Sequence, residues 1–524
     1  MHMKSITRLV VAAGVALAVA GCGDLTVEPK SDITSGNIFK DPNSYRSFIA
    51  KLYAGLAVTG QSGPAGSADI SGIDEGFSQY LRGYWQLQQL PTDETIIGWG
   101  DPTLQDVNFQ TWSSANLFSG AMYSRIFYQV ALANQFLRET SDAKLSERGV
   151  SAELKTTIQG YRNEARFLRA LSYYHAVDLF GPVPLVDENF GIGALPRQGT
   201  RTEVFNFAES ELLAIRGALA PRSTGDYYGR ASTAAANMIL AHLYLNAEEW
   251  TGTARYADAR AAAEAVIATL GLALDPNHKR IFSLDNTASP EIIFQIPFDG
   301  ERTMTWGGMT FLIHAAVGDG MNAADYGIDG GWYGLRTRPE TVDRFTTGDT
   351  RADYLVSNSH TKSIACVEGC SNQGYAVGKF RNKATTGEVG KNLTHPDTDY
   401  PMFRLADAYL IYAEAVLRGG GGTRATALGY VNQLRRRAFG GTAGDITDAQ
   451  LTLPFILDER SRELLWEGYR RQDLIRFGLF SDAGIWQWKG GVQPGKLTES
   501  FRDLYPIPAS ERSANPTVAQ NPGY

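Results

Sequence analysis

Apolar residues recur at a spacing near 3.6 in several long stretches of the chain, which is the mark of amphipathic helices. Ile158, Tyr161, Ala165, Leu168, Ser172, Ala176 and Leu179 fall on one face, and Gly181-Pro182 stops the run. Ala236, Ile239, Leu240, Leu243 and Ala247 form a second stripe. Tyr256, Ala259, Ala263, Val266, Ile267 and Leu270 form its partner after a short turn. Further on, Leu405, Tyr409, Tyr412, Ala413 and Val416 face one way, and Arg404, Asp407, Glu414 and Arg418 face the other. Gly419 to Gly422 break that helix, Thr423 is placed to cap the next, and Ala427, Val431, Leu434 and Ala438 continue it. The pattern predicts αα-hairpins with small residues at the helix contacts, the form of tetratricopeptide-like repeats, although no 34-residue period is visible.

Two stretches lack any period, Gly60 to Trp112 and Phe298 to Val356, and both are rich in Gly, Asp and aromatic residues. A short strand, Glu291 to Pro297, precedes the second. Loops of this length within a helical frame are expected to be functional.

The N-terminus sets a compartment. Lys4 and Arg8 precede an apolar run, Leu9 to Ala20, that is too short to span a bilayer and ends in Val19-Ala20-Gly21-Cys22. The run is similar to a bacterial lipobox, which implies removal of residues 1–21, lipidation of Cys22 and an extended tether over 22–40, leaving 41–524 as a single domain with parts at about 41–285 and 286–524. No other stretch is apolar enough to cross a membrane. The other two cysteines, Cys366 and Cys370, lie in a Gly-rich loop, and in an exported chain a local disulfide is their expected use.

The 524 residues include 49 Lys and Arg against 56 Asp and Glu, a formal charge of −7, which argues against a nucleic-acid partner. No zinc-protease, serine-hydrolase or P-loop motif occurs. Adjacent Asp93 and Glu94 cannot flank a glycosidic bond from two sides, so no enzyme activity is expected. His175 and His242 sit inside helical runs as packed imidazoles, and the charge-dense segment Asp458 to Arg476 reads as a helix braced by ion pairs. Asp319, Asn322, Asp325 and Asp329 could gather around a structural calcium, but their spacing is not that of an EF-hand; the expectation is no cofactor and no metal.

Four segments in order carry a resemblance. Arg162-Asn-Glu-Ala-Arg-Phe-Leu-Arg-Ala-Leu-Ser-Tyr-Tyr173 with Phe180-Gly-Pro-Val-Pro-Leu185, Leu457 to Phe477, Leu504-Tyr-Pro-Ile-Pro-Ala-Ser-Glu, and Gln520-Asn-Pro-Gly-Tyr524 make the chain similar to the SusD/RagB outer-membrane lipoproteins. The resemblance implies a mostly α fold of tetratricopeptide-like hairpins with long irregular ligand-binding loops and a few short strands. It also implies a surface-exposed glycan receptor that works with a SusC-like TonB-dependent transporter in the outer membrane. The same scaffold could instead take peptide or another nutrient, or act as a non-catalytic scaffold.

Sugar rings offer CH faces to aromatic rings and hydroxyls to polar groups. The ligand-binding candidates are therefore loop residues: Trp99, Trp332, Trp306, Tyr326 and Tyr333 as platforms, with Arg82, Asp101 and Arg336 as polar partners. Trp99 and the Trp332-Tyr333 pair lie in the loop regions that line the family's site. Trp85, Trp112, Trp466, Trp486 and Trp488 are assigned to packing.

Overall fold

The computed structural model describes residues 38–524 except Ile192. The signal segment, Cys22 and most of the tether therefore lie outside the described residues. By contacts the chain divides into a unit ending at Tyr45 and a large unit, Arg46–Tyr524, which carries everything below.

Helices dominate. Those that matter below are α1 (Tyr80–Gln89), α2 (Leu117–Glu139), α3 (Ala152–Leu179), α4 (Arg201–Ile215), α5 (Thr233–Leu245), α6 (Tyr256–Ile267), then α7 (Gly308–His314), α8 (Leu405–Leu417), α9 (Arg424–Phe439), α10 (Leu453–Glu463) and α11 (Arg470–Arg476). Successive members pack side by side, α2 on α3, α3 on α4, α5 on α6, α6 on α8 and α8 on α9, which is the expected hairpin array. Caps fall where side chains can take up free backbone N–H groups: Ser151 accepts from Leu154, Ser232 from Ala235 and Thr423 from Thr426. The stripes of α3 and α5 are buried apart from half-buried Tyr161. Leu270 is a correction: α6 ends at Ile267, so Leu270 lies beyond the stripe and is 94% exposed.

A second correction concerns α8. Arg404, Asp407 and Glu414 do not face water; they are buried, because this helix is enclosed on all sides. Their charges are met in the interior. Arg404 pairs with Glu291 at 2.8 Å, Glu463 at 2.7 Å and Glu467 at 2.6 Å. Arg460 bridges Asp407 and Asp473, each at 2.8 Å. The segment Asp458 to Arg476 is therefore two helices, broken at Leu464–Tyr469 where Trp466 and Gly468 take positive φ, and its ion pairs reach across the core rather than along a surface. Buried pairs of this kind are costly to break one partner at a time.

Strands are few and short. The expected one is β2 (Ile292–Ile296), paired antiparallel with β4 (Tyr400–Arg404). Another pair was not foreseen: β1 (Thr95–Ile97) runs antiparallel to β3 (Leu335–Thr337), Thr95 opposite Thr337 and Ile97 opposite Leu335. This small sheet stitches together the two long stretches without periodicity. Cys366 and Cys370 are joined as a disulfide in the loop behind it. Among the described residues no helix is long and apolar enough to cross a membrane.

Candidate functional site

The β1–β3 ladder decides which loop residues meet. It continues one step beyond the strands, Gly98 N–H donating to Gly334 O at 3.0 Å, so Trp99 leaves β1 beside the turn that enters β3. The Gln105 amide donates to the carbonyls of Ile97 and Trp99 at 3.0 and 2.7 Å and fixes the Trp99 backbone.

The opposing turn, Gly330 to Gly334, closes the C-terminal end of α7. Helix ends leave carbonyls without partners. Here Trp332 N–H donates to His314 O at 2.7 Å, Tyr333 to Val317 O at 3.1 Å, and both Gly334 and Leu335 to Ala315 O at 3.0 and 2.7 Å. The glycines are required by space. A Cβ at Gly331 would lie 2.2 Å from Val317 O, and one at Gly334 would lie 2.5 Å from the Trp99 ring. Tyr333 holds φ at 56°, a left-handed conformation uncommon outside glycine.

Three indoles result in one row. Trp99 and Trp332 have ring centroids 6.3 Å apart with planes tilted by 47°, and Trp332 and Trp306 repeat the spacing at 6.3 Å and 54°. Trp99 Nε1–H donates to Trp332 O at 3.1 Å, so the polar edge of that ring is already satisfied. The row is backed from below. His314 stacks on Trp332 at 4.8 Å, His395 lies 5.0 Å from Trp306, and Phe311 meets Trp99 edge-on at 5.9 Å. Trp306 is 36% exposed, Tyr333 is 50% exposed, and Trp99 and Trp332 are half-buried.

The predicted polar partners behave differently. Arg82 is buried beneath the row, its guanidinium 4.2 Å over the Phe311 ring and 5.8 Å from Trp99, with Nη1 donating to Trp306 O at 3.2 Å. Burial lowers its pKa to about 10, against the attraction of Asp74 and Asp101. It braces the indoles from below. Arg336 is also buried, donating to Val367 O at 2.8 Å and to Cys370 O, so it ties the disulfide loop to β3. Tyr326 is buried under the Arg381 guanidinium at 4.9 Å and has no ring contact with the indoles among the described residues. Asp101 is exposed next to Trp99 in sequence.

The acidic residues between 319 and 329 do not converge. Asp319 accepts from Ser371, Asp329 from Thr394, and Asn322 caps Ala324 N–H; among the described residues no group of His, Cys, Asp and Glu is arranged to hold a metal. Asp93 is buried between Arg344 and Arg470, with its pKa pulled well below the carboxylate range despite burial. Glu94 is raised to about 7, chiefly by burial. Both brace the core. The backing residues Phe311, His314 and His395 were missed by the sequence reading; Phe311 and His314 stand in the stretch without periodicity, His395 lies beyond it, and no local pattern marks any of them as a neighbour of the indoles.

Comparison with known proteins places the frame. The SusD family pattern (SusD_RagB) matches residues 350–524. Over its whole length, and the whole length of the relative, the chain is 32% identical to the "Starch-binding protein SusD" of Bacteroides thetaiotaomicron. The chain belongs to the SusD family. A "SusD-like protein P2" of Formosa agariphila is 25% identical, covering 97% of this chain and 98% of that one. Among solved structures, "Surface glycan-binding protein A" of Bacteroides thetaiotaomicron in complex with laminarihexaose superposes with a TM-score of 0.70 at 20% identity, covering 91% of this chain and 98% of that one. The SusD frame is thus the hairpin array, and the indole row sits on its irregular insertions.

Proposed function

We propose that this chain is a non-enzymatic glycan receptor, anchored through lipid on Cys22 at the outer-membrane surface, that passes oligosaccharide to a TonB-dependent transporter. The observation that carries the reading is the row Trp99–Trp332–Trp306, whose rings keep exposed surface while Phe311, His314 and His395 pack against them. Names of relatives support it, one being called starch-binding and another glycan-binding.

The row also suggests the shape of the cargo. Neighbouring ring planes turn by 47° and then 54°, so a straight, flat glycan can lie on one indole but not on all three. A curved glucan presents successive CH faces that turn with the platform. The apolar area that a CH face covers on an indole contributes about 25 cal/mol per Å². Hydroxyl contacts add little net, since each replaces one to water, so modest affinity and easy release follow.

Calorimetry on the full chain purified in detergent tests this. Maltoheptaose or laminarihexaose, both curved, should bind at least about tenfold more tightly than straight cellohexaose, a difference of about 1.4 kcal/mol. Trp306→Ala should abolish most of that heat. Equal binding of curved and straight chains, or binding untouched by Trp306→Ala, would contradict the reading. Release of shorter products during incubation would replace the receptor by a hydrolase.

A further inference from the structure

Tyr326 contributes a wall to a cavity of about 520 Å³ whose lining includes none of the three indoles. Its volume is within the range of small-molecule sites, about 300–1,000 Å³. The lining is cationic in a chain whose formal charge is −7: Lys279, Arg381 and Lys383 against the single carboxylate of Asp325. Lys279 is partly engaged, 3.0 Å from Asp353 at an exposed rim. Arg381 and Lys383 are not: among the described residues neither has a carboxylate within 4.0 Å, and their side chains reach only the backbone carbonyls of Gly378 at 3.4 Å and Ala324 at 3.3 Å. The nearby carboxylate of Asp285 is occupied elsewhere, accepting from the Thr385 N–H at 3.0 Å and its hydroxyl.

Arg381 is also pre-set. Its guanidinium carbon lies 4.9 Å over the Tyr326 ring, and that ring is fixed because its hydroxyl end packs on Gly378, where a Cβ would come within 2.4 Å. A half-buried guanidinium held over a phenol in the wall of an open cavity is a fork for a planar or tetrahedral anion. Ser283 and Asn277 line the same space and offer groups that bond hydroxyls.

We propose that this cavity binds the anionic group of a charged sugar, a carboxylate or a sulfate ester, with Arg381 and Lys383 as the contacting cations. It is a second subsite, separate from the indole row, and it rests on the reading that the chain handles glycans. The chain would then accept an acidic substituent on a glycan, which the indoles alone cannot recognise.

The test is calorimetry on the full chain with four probes: a glucuronate-containing disaccharide, a sulfated disaccharide, the neutral disaccharide and inorganic sulfate. At least one charged disaccharide should bind at least tenfold more tightly than the neutral one, with affinity falling as salt rises. Arg381→Gln and Lys383→Gln should each weaken it about tenfold, and Trp306→Ala should leave it unchanged. Maltoheptaose binding by Arg381→Gln serves as the control that the variant is folded. The two charged disaccharides tell carboxylate from sulfate. Equal binding of charged and neutral sugar, or charged binding lost in Trp306→Ala and kept in Arg381→Gln, overturns the proposal, as does sulfate alone binding as tightly as the sugars. Charged binding that depends on Arg381 without any maltoheptaose binding supports this subsite and removes the indole platform instead.

Discussion

Two sets of tryptophans in this molecule share residue type and differ in what covers them. Trp85 and Trp466 lie in the core with centroids 5.6 Å apart at 80°, Trp85 Nε1–H donating to Trp466 O at 2.7 Å, and both are fully buried. Trp99, Trp332 and Trp306 keep part of their surface exposed, Trp306 at 36% and the other two half-buried. Phe311 links the sets, meeting Trp85 at 5.8 Å and Trp99 at 5.9 Å. A ring enclosed on both faces contributes its area to folding, whereas a ring with one open face leaves that area for a partner. What makes an indole a candidate platform here is not its loop position alone but retained exposure combined with backing by Phe311, His314 and His395.

That contrast can be broken experimentally, starting with the largest effect. Trp466→Ala should cost about 3–5 kcal/mol of stability, as for other large buried aromatics, and show in the denaturant midpoint with glycan affinity preserved in whatever remains folded. Trp306→Ala should do the reverse, changing stability by under about 1 kcal/mol while removing most glycan binding. Gly334→Ala would drive a methyl into the Trp99 ring, so it should weaken binding several-fold without global unfolding; unchanged affinity would mean that the Trp99 position does not matter. A smaller effect is expected from acid. Glu414 and Glu459 are buried, which alone would raise them, yet Arg476 and Arg351 hold each at about 2 against an ordinary 4.5. Because the folded value lies below the unfolded one, their stabilisation is present above pH 4.5 and is lost as pH falls from there toward 2. The denaturant midpoint should therefore drop between pH 5 and pH 3, and a flat profile would contradict the role of the ionic core.

Much of the frame was legible because helical hairpins repeat a local pattern: the stripes of α3 and α5, the break after α8 and the Thr423 cap need only neighbouring residues. The interior charges were not. Arg404 at the end of β4 and Asp407 and Glu414 on α8 occupy a face that ordinary amphipathicity gives to water, and only their distant partners, Glu291 just before β2, Glu463 and Arg460 on α10 and Arg476 on α11, explain their burial. The site was legible as loops and not as contacts. Trp99 and Trp332 lie more than two hundred residues apart, and nothing local says that β1 and β3 pair. Arg82 and Arg336 read as ligand partners, yet both are buried, Arg82 on α1 against Phe311 and Arg336 on β3 against the disulfide loop, and Tyr326 read as a platform although it is buried in the wall of a cavity that none of the indoles lines.

The two sets can be told apart in one measurement. The chain has nine tryptophans, each with an indole N–H resonance, and maltoheptaose can be titrated while all are observed. The account predicts that the resonances of Trp99, Trp306 and Trp332 move together and saturate, while those of Trp85, Trp112, Trp466 and Trp486 stay in place. Movement of the core resonances alone, or a saturating heat signal with those three unmoved, would contradict it.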